Sequence, residues 1–254
     1  MGQALLQGWR RARALPFSQL MIRAPSAKPE VEVAIGAGAA FNPPDSALAA
    51  ARTVVLCVKP YKLAEAVMAY GPHLHPEAVI ISVLVGIKAA DVSAQFGGRR
   101  VARVLPTTGV ARAGGVTAAY GADPEALRRM HALFDPVSAT VELDSEDRMD
   151  AAGAVSASGV AYVYAFVRAL EEAALSAGLP AETARTLARS TVTSAAAYLD
   201  ESGLEPDALI EQVASPAGTT RAALAVLLGD AGLTPLLRDT VAAAIRRSEE
   251  LAKG

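Results

Sequence analysis

Thr53-Val54-Val55-Leu56-Cys57-Val58-Lys59-Pro60 is an apolar, largely β-branched run closed by a lysine and a proline. It is too short for a helix and shows no polar alternation. It therefore reads as a strand buried on both faces, the kind found in parallel sheets. Similar runs follow at 78–85 and 101–105, and residues 20–23 read as a further strand. Helical patterns lie between them. Residues 61–70 put Leu63 and Val67 on one face, and a short helix begins at 91–96. Asp123 stands as an N-cap before Pro124, with Leu127, Met130 and Phe134 facing inward. Strand, helix, strand in this order is the pattern of an α/β fold.

After Asp144 the strands stop. Residues 151–177 read as one long helix closed by Gly178. Pro180 opens a second, with Leu187, Thr191, Ala195 and Leu199 at four-residue spacing, ending near Gly203. Two or three more helices follow, the last over 235–251. The charged stretch Asp144, Glu146, Asp147 and Arg148 reads as a solvated boundary, giving domains 1–145 and 146–254. An Ala-rich helical half with this much apolar surface predicts burial against a second copy of the chain.

Of 254 residues 52% are hydrophobic, enough for a sizeable core, and a net charge of -2 lacks the basic excess of a nucleic-acid binder. Cys57 is the single cysteine and lies inside an apolar run, so it reads as an inert core residue in a reducing compartment. No stretch matches the roughly 18 unbroken apolar residues of a membrane span, and no signal-peptide core precedes Trp9. The expectation is a cytoplasmic protein with no membrane partner. His73 and His75 lack further ligands at metal-site spacing, so no metal is expected.

An open α/β nucleotide-binding domain normally starts with a strand, then a tight glycine turn, then a helix whose N-terminus holds a pyrophosphate. Met1-Gly2-Gln3-Ala4-Leu5-Leu6 already reads as that helix, with Gly2 as the third glycine of G-x-G-x-x-G. The expectation is a start assigned too far downstream, with the strand and the front of the loop encoded before it. A genuine truncation is the alternative.

Five segments carry a resemblance. They are Met1-Gly2, Val58-Lys59-Pro60, Leu105-Pro106-Thr107-Thr108, the 156–162 stretch and Val213-Ala214-Ser215-Pro216-Ala217-Gly218-Thr219-Thr220. In order and spacing they resemble the end of the glycine fingerprint and the V-K-P, M-P-N-T, G-S-G-P-A-Y and V-x-S-P-G-G-T-T motifs of the pyrroline-5-carboxylate reductase family. The resemblance implies an α/β Rossmann-type nucleotide-binding domain followed by an all-α dimerisation domain. It also implies NAD(P)H-dependent reduction of 1-pyrroline-5-carboxylate to L-proline by a homodimer or ring of dimers.

By resemblance, Ser215, Gly218 and Thr219 bind the substrate carboxylate. Thr220 hydrogen-bonds the ring nitrogen and helps deliver a proton. Gly2, Val58, Lys59, Pro60 and Thr107 border the dinucleotide. Read without the family, Ser215-Pro216 is equally a plain helix cap with proline at N1, and Val58-Lys59-Pro60 a strand-ending turn. Ala24-Pro25-Ser26 stands where such folds meet the adenosine ribose. Ser26, with Arg23 and Lys28 near and no acid, leans towards a 2′-phosphate and hence NADPH rather than NADH. The chain also departs from the family. Thr107 replaces an asparagine, Leu84-Val85-Gly86 replaces A-A-G beside the nicotinamide, Val160 replaces a proline, and Ala217 replaces a glycine. These departures keep two other readings open: a reductase of another cyclic imine, and a non-catalytic homologue.

Overall fold

The computed structural model describes residues 1–252. It divides into two compact units. One is Met1–Ala157 together with the end of the last helix from Ala244, and the other is Ser158–Ala243.

The first unit opens with helix α1 (Gly2–Ala12), strand β1 (Met21–Ile22), helix α2 (Pro29–Gly36) and strand β2 (Ala40–Phe41). A five-stranded sheet follows, made in spatial order from β3 (Thr53–Leu56), β4 (Val79–Ser82), β5 (Val101–Pro106), β6 (Gly115–Gly121) and β7 (Ser138–Glu142). Strands β3, β4 and β5 are parallel, with Val55 opposite Ile81 and Ile81 opposite Ala102. Every residue of β4 and β5 is buried, which is why their sequences are apolar apart from Ser82 and Arg103. Strand β6 is antiparallel to β5, so the sheet is mixed rather than all parallel. Strands β1 and β2 pair with each other in a separate two-stranded parallel sheet.

Helices α3 (Leu63–Tyr70), α4 (Ala89–Gln95) and α5 (Pro124–Phe134) cover the large sheet. On one face Val79, Ile81, Ala102 and Val104 pack with Leu5, Leu6 and Trp9 of α1 and Met130 and Phe134 of α5. On the other, Ile80 and Val101 pack with Leu63, Val92 and Phe96. Each such buried side chain contributes about 1.5–3 kcal/mol. Asp123 caps α5 by accepting from the Ala126 N–H at 2.9 Å, with Pro124 in the first turn. Gly8 brings α1 unusually close to the short 3-10 turn Thr108–Arg112. A Cβ there would lie 2.1 Å from the Val110 carbonyl oxygen.

Three sequence expectations are corrected. The run 151–177 is not one helix. It is α6 (Met149–Val155) and α7 (Gly159–Ser176), parted by a turn. The Ser156 hydroxyl donates to the Ala152 carbonyl at 2.7 Å, and such back-bonding, followed by Ser158 and Gly159, opposes helix propagation. Cys57 is not a core residue. It is exposed at the end of β3, although protein atoms crowd its thiol and push its pKa up to about 11. The boundary stretch is not wholly solvated either: the Glu146 side chain is only 16% exposed and pairs with Arg103.

The second unit holds α7, α8 (Ala181–Ser202), α9 (Pro206–Val213), α10 (Thr219–Leu227) and the first part of α11 (Leu233–Ala252). Gly203, at φ 62°, closes α8 in the left-handed conformation that glycine adopts without cost. Its apolar surface is largely uncovered. No α7 residue is buried, only Ala184 and Ala188 of α8 are, and Tyr164, Leu187, Val226 and Leu236 are all exposed. By length and composition alone the run Glu146–Ser176 could cross a membrane. The turn at Ser156 interrupts it.

Candidate functional site

Strands β3, β4 and β5 are parallel, so the segments that follow them leave the same edge of the sheet, where open α/β folds place their ligands. These segments are Val58-Lys59-Pro60, the loop beginning at Val83, and Thr107. The start of α1 is at this edge too: a Cβ on Gly2 would lie 3.5 Å from the Cys57 Cβ, in ordinary contact. The first turn of α1 has no side-chain cap and no acidic residue, so its N–H groups and the positive end of the helix dipole are free for an anion. That arrangement fits a dinucleotide pyrophosphate.

Lys59 and Pro60 are exposed and Val58 is half-buried. Thr107 is buried. Its hydroxyl oxygen accepts the Val116 N–H at 3.0 Å, which leaves the hydroxyl proton to donate. At the end of β1, the Asn42 side chain clasps Ala24 in both directions, accepting its N–H at 3.1 Å and donating to its carbonyl at 3.0 Å. This fixes the start of Ala24-Pro25-Ser26 and leaves Ser26 and Lys28 exposed. Arg23 is not available beside them. It pairs with Asp45, donates to the Pro43 carbonyl at 2.6 Å and stacks 5.2 Å from the Tyr70 ring centre.

The second group of candidates lies in the helical unit. Ser215 is not an N-cap with Pro216 at N1. The helix starts at Thr219 with Gly218 as its N-cap, and Ser215–Gly218 forms a turn in which the Gly218 N–H donates to the Ser215 carbonyl at 3.0 Å. The turn needs a positive φ at its third residue, and Ala217 takes it at φ 58°, a conformation that disfavours side chains other than glycine. Gly218 is crowded by Ser215: a Cβ would lie 2.5 Å from its Oγ and 3.1 Å from its carbonyl oxygen, so the serine side chain would have to turn away. No side chain caps α10, so the N–H groups of its first turn, Thr219 and Thr220 included, have no helical partner. Ser215 and Thr219 are exposed and Thr220 is half-buried.

Arg221 anchors this turn. Its guanidinium grips both oxygens of Glu211 at 2.8 and 2.7 Å and donates to the Ala214 carbonyl at 2.6 Å. The hydrogen bonds from Arg221 hold the Glu211 carboxyl below its ordinary range, and Glu211 raises Arg221 in return. Sequence reading missed Arg221, because the pairing spans ten positions across a turn. It also missed Gly8, whose signal was present: a glycine inside a helix costs about 1 kcal/mol and calls for a packing reason.

Known proteins resemble this chain along most of its length. Residues 146–251 match the family model for pyrroline-5-carboxylate reductase dimerisation, and residues 5–124 match the ketopantoate reductase PanE/ApbA model. The pyrroline-5-carboxylate reductase of Pseudomonas aeruginosa is 35% identical over 98% of this chain and 93% of its own length. That of Pisum sativum is 33% identical over 99% and 93%. A solved pyrroline-5-carboxylate reductase from Coxiella burnetii superposes with a TM-score of 0.88 at 27% identity, covering 98% of this chain and 94% of that one. The Plasmodium falciparum pyrroline carboxylate reductase, solved with NADP bound, shares the fold at a TM-score of 0.83 and 22% identity, over 99% and 94%. With such identity along nearly its whole length, the chain belongs to the pyrroline-5-carboxylate reductase family.

Proposed function

We propose that this chain reduces 1-pyrroline-5-carboxylate to L-proline with NADPH, with NADH as the weaker donor. The observation that carries the reading is the uncapped first turn of α10, preceded by a tight turn in which Gly218 lies close against Ser215. It offers the converging N–H donors that a small carboxylate needs. In this role Ser215, Gly218 and Thr219 hold the carboxylate. Thr220, in the same turn, donates a hydrogen bond to the ring nitrogen and orients the C=N bond.

Gly2, Val58, Lys59, Pro60 and Thr107 border the dinucleotide, with Ala24 and Ser26 at its adenosine end. Bound there, the dinucleotide supplies the hydride. With Arg23 engaged elsewhere, Ser26 and Lys28 are the groups left to meet a 2′-phosphate.

Residues 1–145 form the dinucleotide-binding domain in this reading and residues 146–254 the helical domain. The exposed apolar side chains of the helical unit favour a homodimer, or a ring of dimers, in the cytoplasm. Arg168, Glu171 and Glu172 interrupt the apolar run of α7, which suits a protein partner better than lipid.

The test is NADPH oxidation with pyrroline-5-carboxylate, beside its six-membered homologue. Turnover on the five-membered substrate is expected. Turnover on the larger ring alone would assign a different imine. A folded dimer that binds no dinucleotide would make the chain a non-catalytic relative. A narrower prediction concerns the turn. Ala217→Val puts a β-branched residue at positive φ, a cost of about 1–2 kcal/mol. KM for the imino acid is expected to rise about tenfold, with NADPH affinity unchanged.

A further inference from the structure

Arg103 is a buried cation in the middle of β5, its side chain only 5% exposed. Its Nη1 donates to Glu146 Oε1 at 2.8 Å, and its Nε is buried without a partner. The same Glu146 oxygen accepts the N–H of Ala89 at 2.6 Å, at the first residue of α4. Beside it Lys88 pairs with Asp147 at 3.2 Å. Residues 83–88, between β4 and α4, are therefore fastened at both ends. The Val83 N–H donates to the Leu56 carbonyl at 3.1 Å, and Ala89 is held by Glu146. Between the anchors Gly86 turns the chain at φ 76° and Val85 stands 48% exposed.

A buried, incompletely satisfied ion pair is a poor source of stability, since desolvating two charges offsets most of their attraction. What such a pair does supply is a fixed geometry. Without Arg103, the Glu146 carboxylate would be left unpaired in a largely desolvated site and would move towards solvent. That changes the anchor at Ala89.

We propose that Arg103 and Glu146 are positioning residues for the nicotinamide side of the site, holding residues 83–88 in place through the Ala89 N–H. The inference rests on the reading above in which that segment borders the dinucleotide.

Arg103→Lys, Glu146→Gln and Glu146→Ala are compared with a surface control, Arg128→Ala. Each is measured for melting temperature, NADPH affinity by fluorescence, kcat, KM and the primary isotope effect with deuterated NADPH. For Glu146→Ala, kcat per folded protein is expected to fall about tenfold or more, because a small misplacement of reacting groups is costly. The isotope effect on kcat is expected to rise as hydride transfer becomes slower. Glu146→Gln keeps an acceptor for Ala89 and is expected to retain most of the activity, and the control all of it. Variants that melt earlier but keep the wild-type isotope effect, kcat per folded protein and NADPH affinity would make the pair purely structural and overturn the proposal.

Should Glu146→Ala not fold, Arg103→Lys carries the comparison: its kcat per folded protein is expected to fall and its isotope effect to rise, with Glu146→Gln as the variant that keeps the acceptor for Ala89. Wild-type protein that binds NADPH but does not turn over would refute the proposed reaction alone, and the inference is then judged on NADPH affinity. Wild-type protein that does not bind NADPH refutes both.

Discussion

Thr220→Ala is expected to lower kcat by about a hundred- to ten-thousand-fold, the range that positioned proton donors supply, while NADPH affinity stays at the wild-type level. Thr220 sits in the first turn of α10, half-buried, and its side chain does not cap the helix. Its removal therefore takes no bond from the fold. The N–H groups around it remain to hold a carboxylate, so the KM for the imino acid should move far less than kcat. Serine at this position restores a hydroxyl and should recover much of the rate. Steady-state kinetics of the alanine and serine variants check this. Full activity in Thr220→Ala would remove the residue from the chemistry.

Gly8→Ala is expected to destabilise the first unit and to weaken NADPH binding together. Two effects oppose each other. Alanine improves helix propensity over glycine by about 0.8–1 kcal/mol. Against this, the new Cβ would lie 2.1 Å from the Val110 carbonyl oxygen and 3.2 Å from Val137 Cγ1. A backbone carbonyl in a packed core cannot swing aside as a side chain does, so α1 must back away. Overpacking of this kind costs about 1–3 kcal/mol or more, which exceeds the helix gain and should lower Tm by several degrees. The 3-10 turn that α1 touches follows Thr107, and the start of α1 faces Cys57, so displacing the helix disturbs both proposed borders of the dinucleotide site. Thermal melting and NADPH titration read the two effects. Gly2→Ala is the contrast: its Cβ would meet Cys57 at an ordinary 3.5 Å.

The parts of the fold legible in the sequence were those dominated by apolar residues. Residues 53–58, 78–85 and 101–105 read as strands although Ser82 and Arg103 lie within them, because their neighbours are apolar and β4 and β5 are buried throughout. The Asp123-Pro124 start of α5 carries its own signal in the capping hydrogen bond. Strand β6 went unread: Gly115-Val116-Thr117-Ala118-Ala119-Tyr120-Gly121 has little β-branched character, and its place is set by pairing with β5 across the sheet. β7 lies at the edge and alternates apolar with polar residues, with Val141 exposed.

The helix break falls at Ser156-Ala157-Ser158-Gly159, a run of small residues that the apolar periodicity passes over. At the site, motif order located the α10 turn, but the cap assignment slipped from Gly218 to Ser215. A serine before a proline is the commoner cap signal, and the positive φ of Ala217 is invisible in an alanine. The Arg103–Glu146 pair was hidden because Glu146 sits in a stretch whose neighbours are solvated.

The division of the strands into two sheets has a consequence for local opening. The bonds from Ala40 N–H to the Leu20 carbonyl and from Asn42 N–H to the Ile22 carbonyl belong to a pair of strands too short to be stable alone. They are tied to the rest of the unit by side-chain packing of Ile22 and Phe41 rather than by a continuous ladder. Amide hydrogens there should exchange with solvent through a small local unfolding event. Those of β4 and β5, such as Ile80, should exchange only when the whole unit opens. Ala24-Pro25-Ser26 extends from the less protected piece, so the proposed adenosine end of the site rides on the part of the unit that opens first, and a dinucleotide bound as proposed would slow exchange most there.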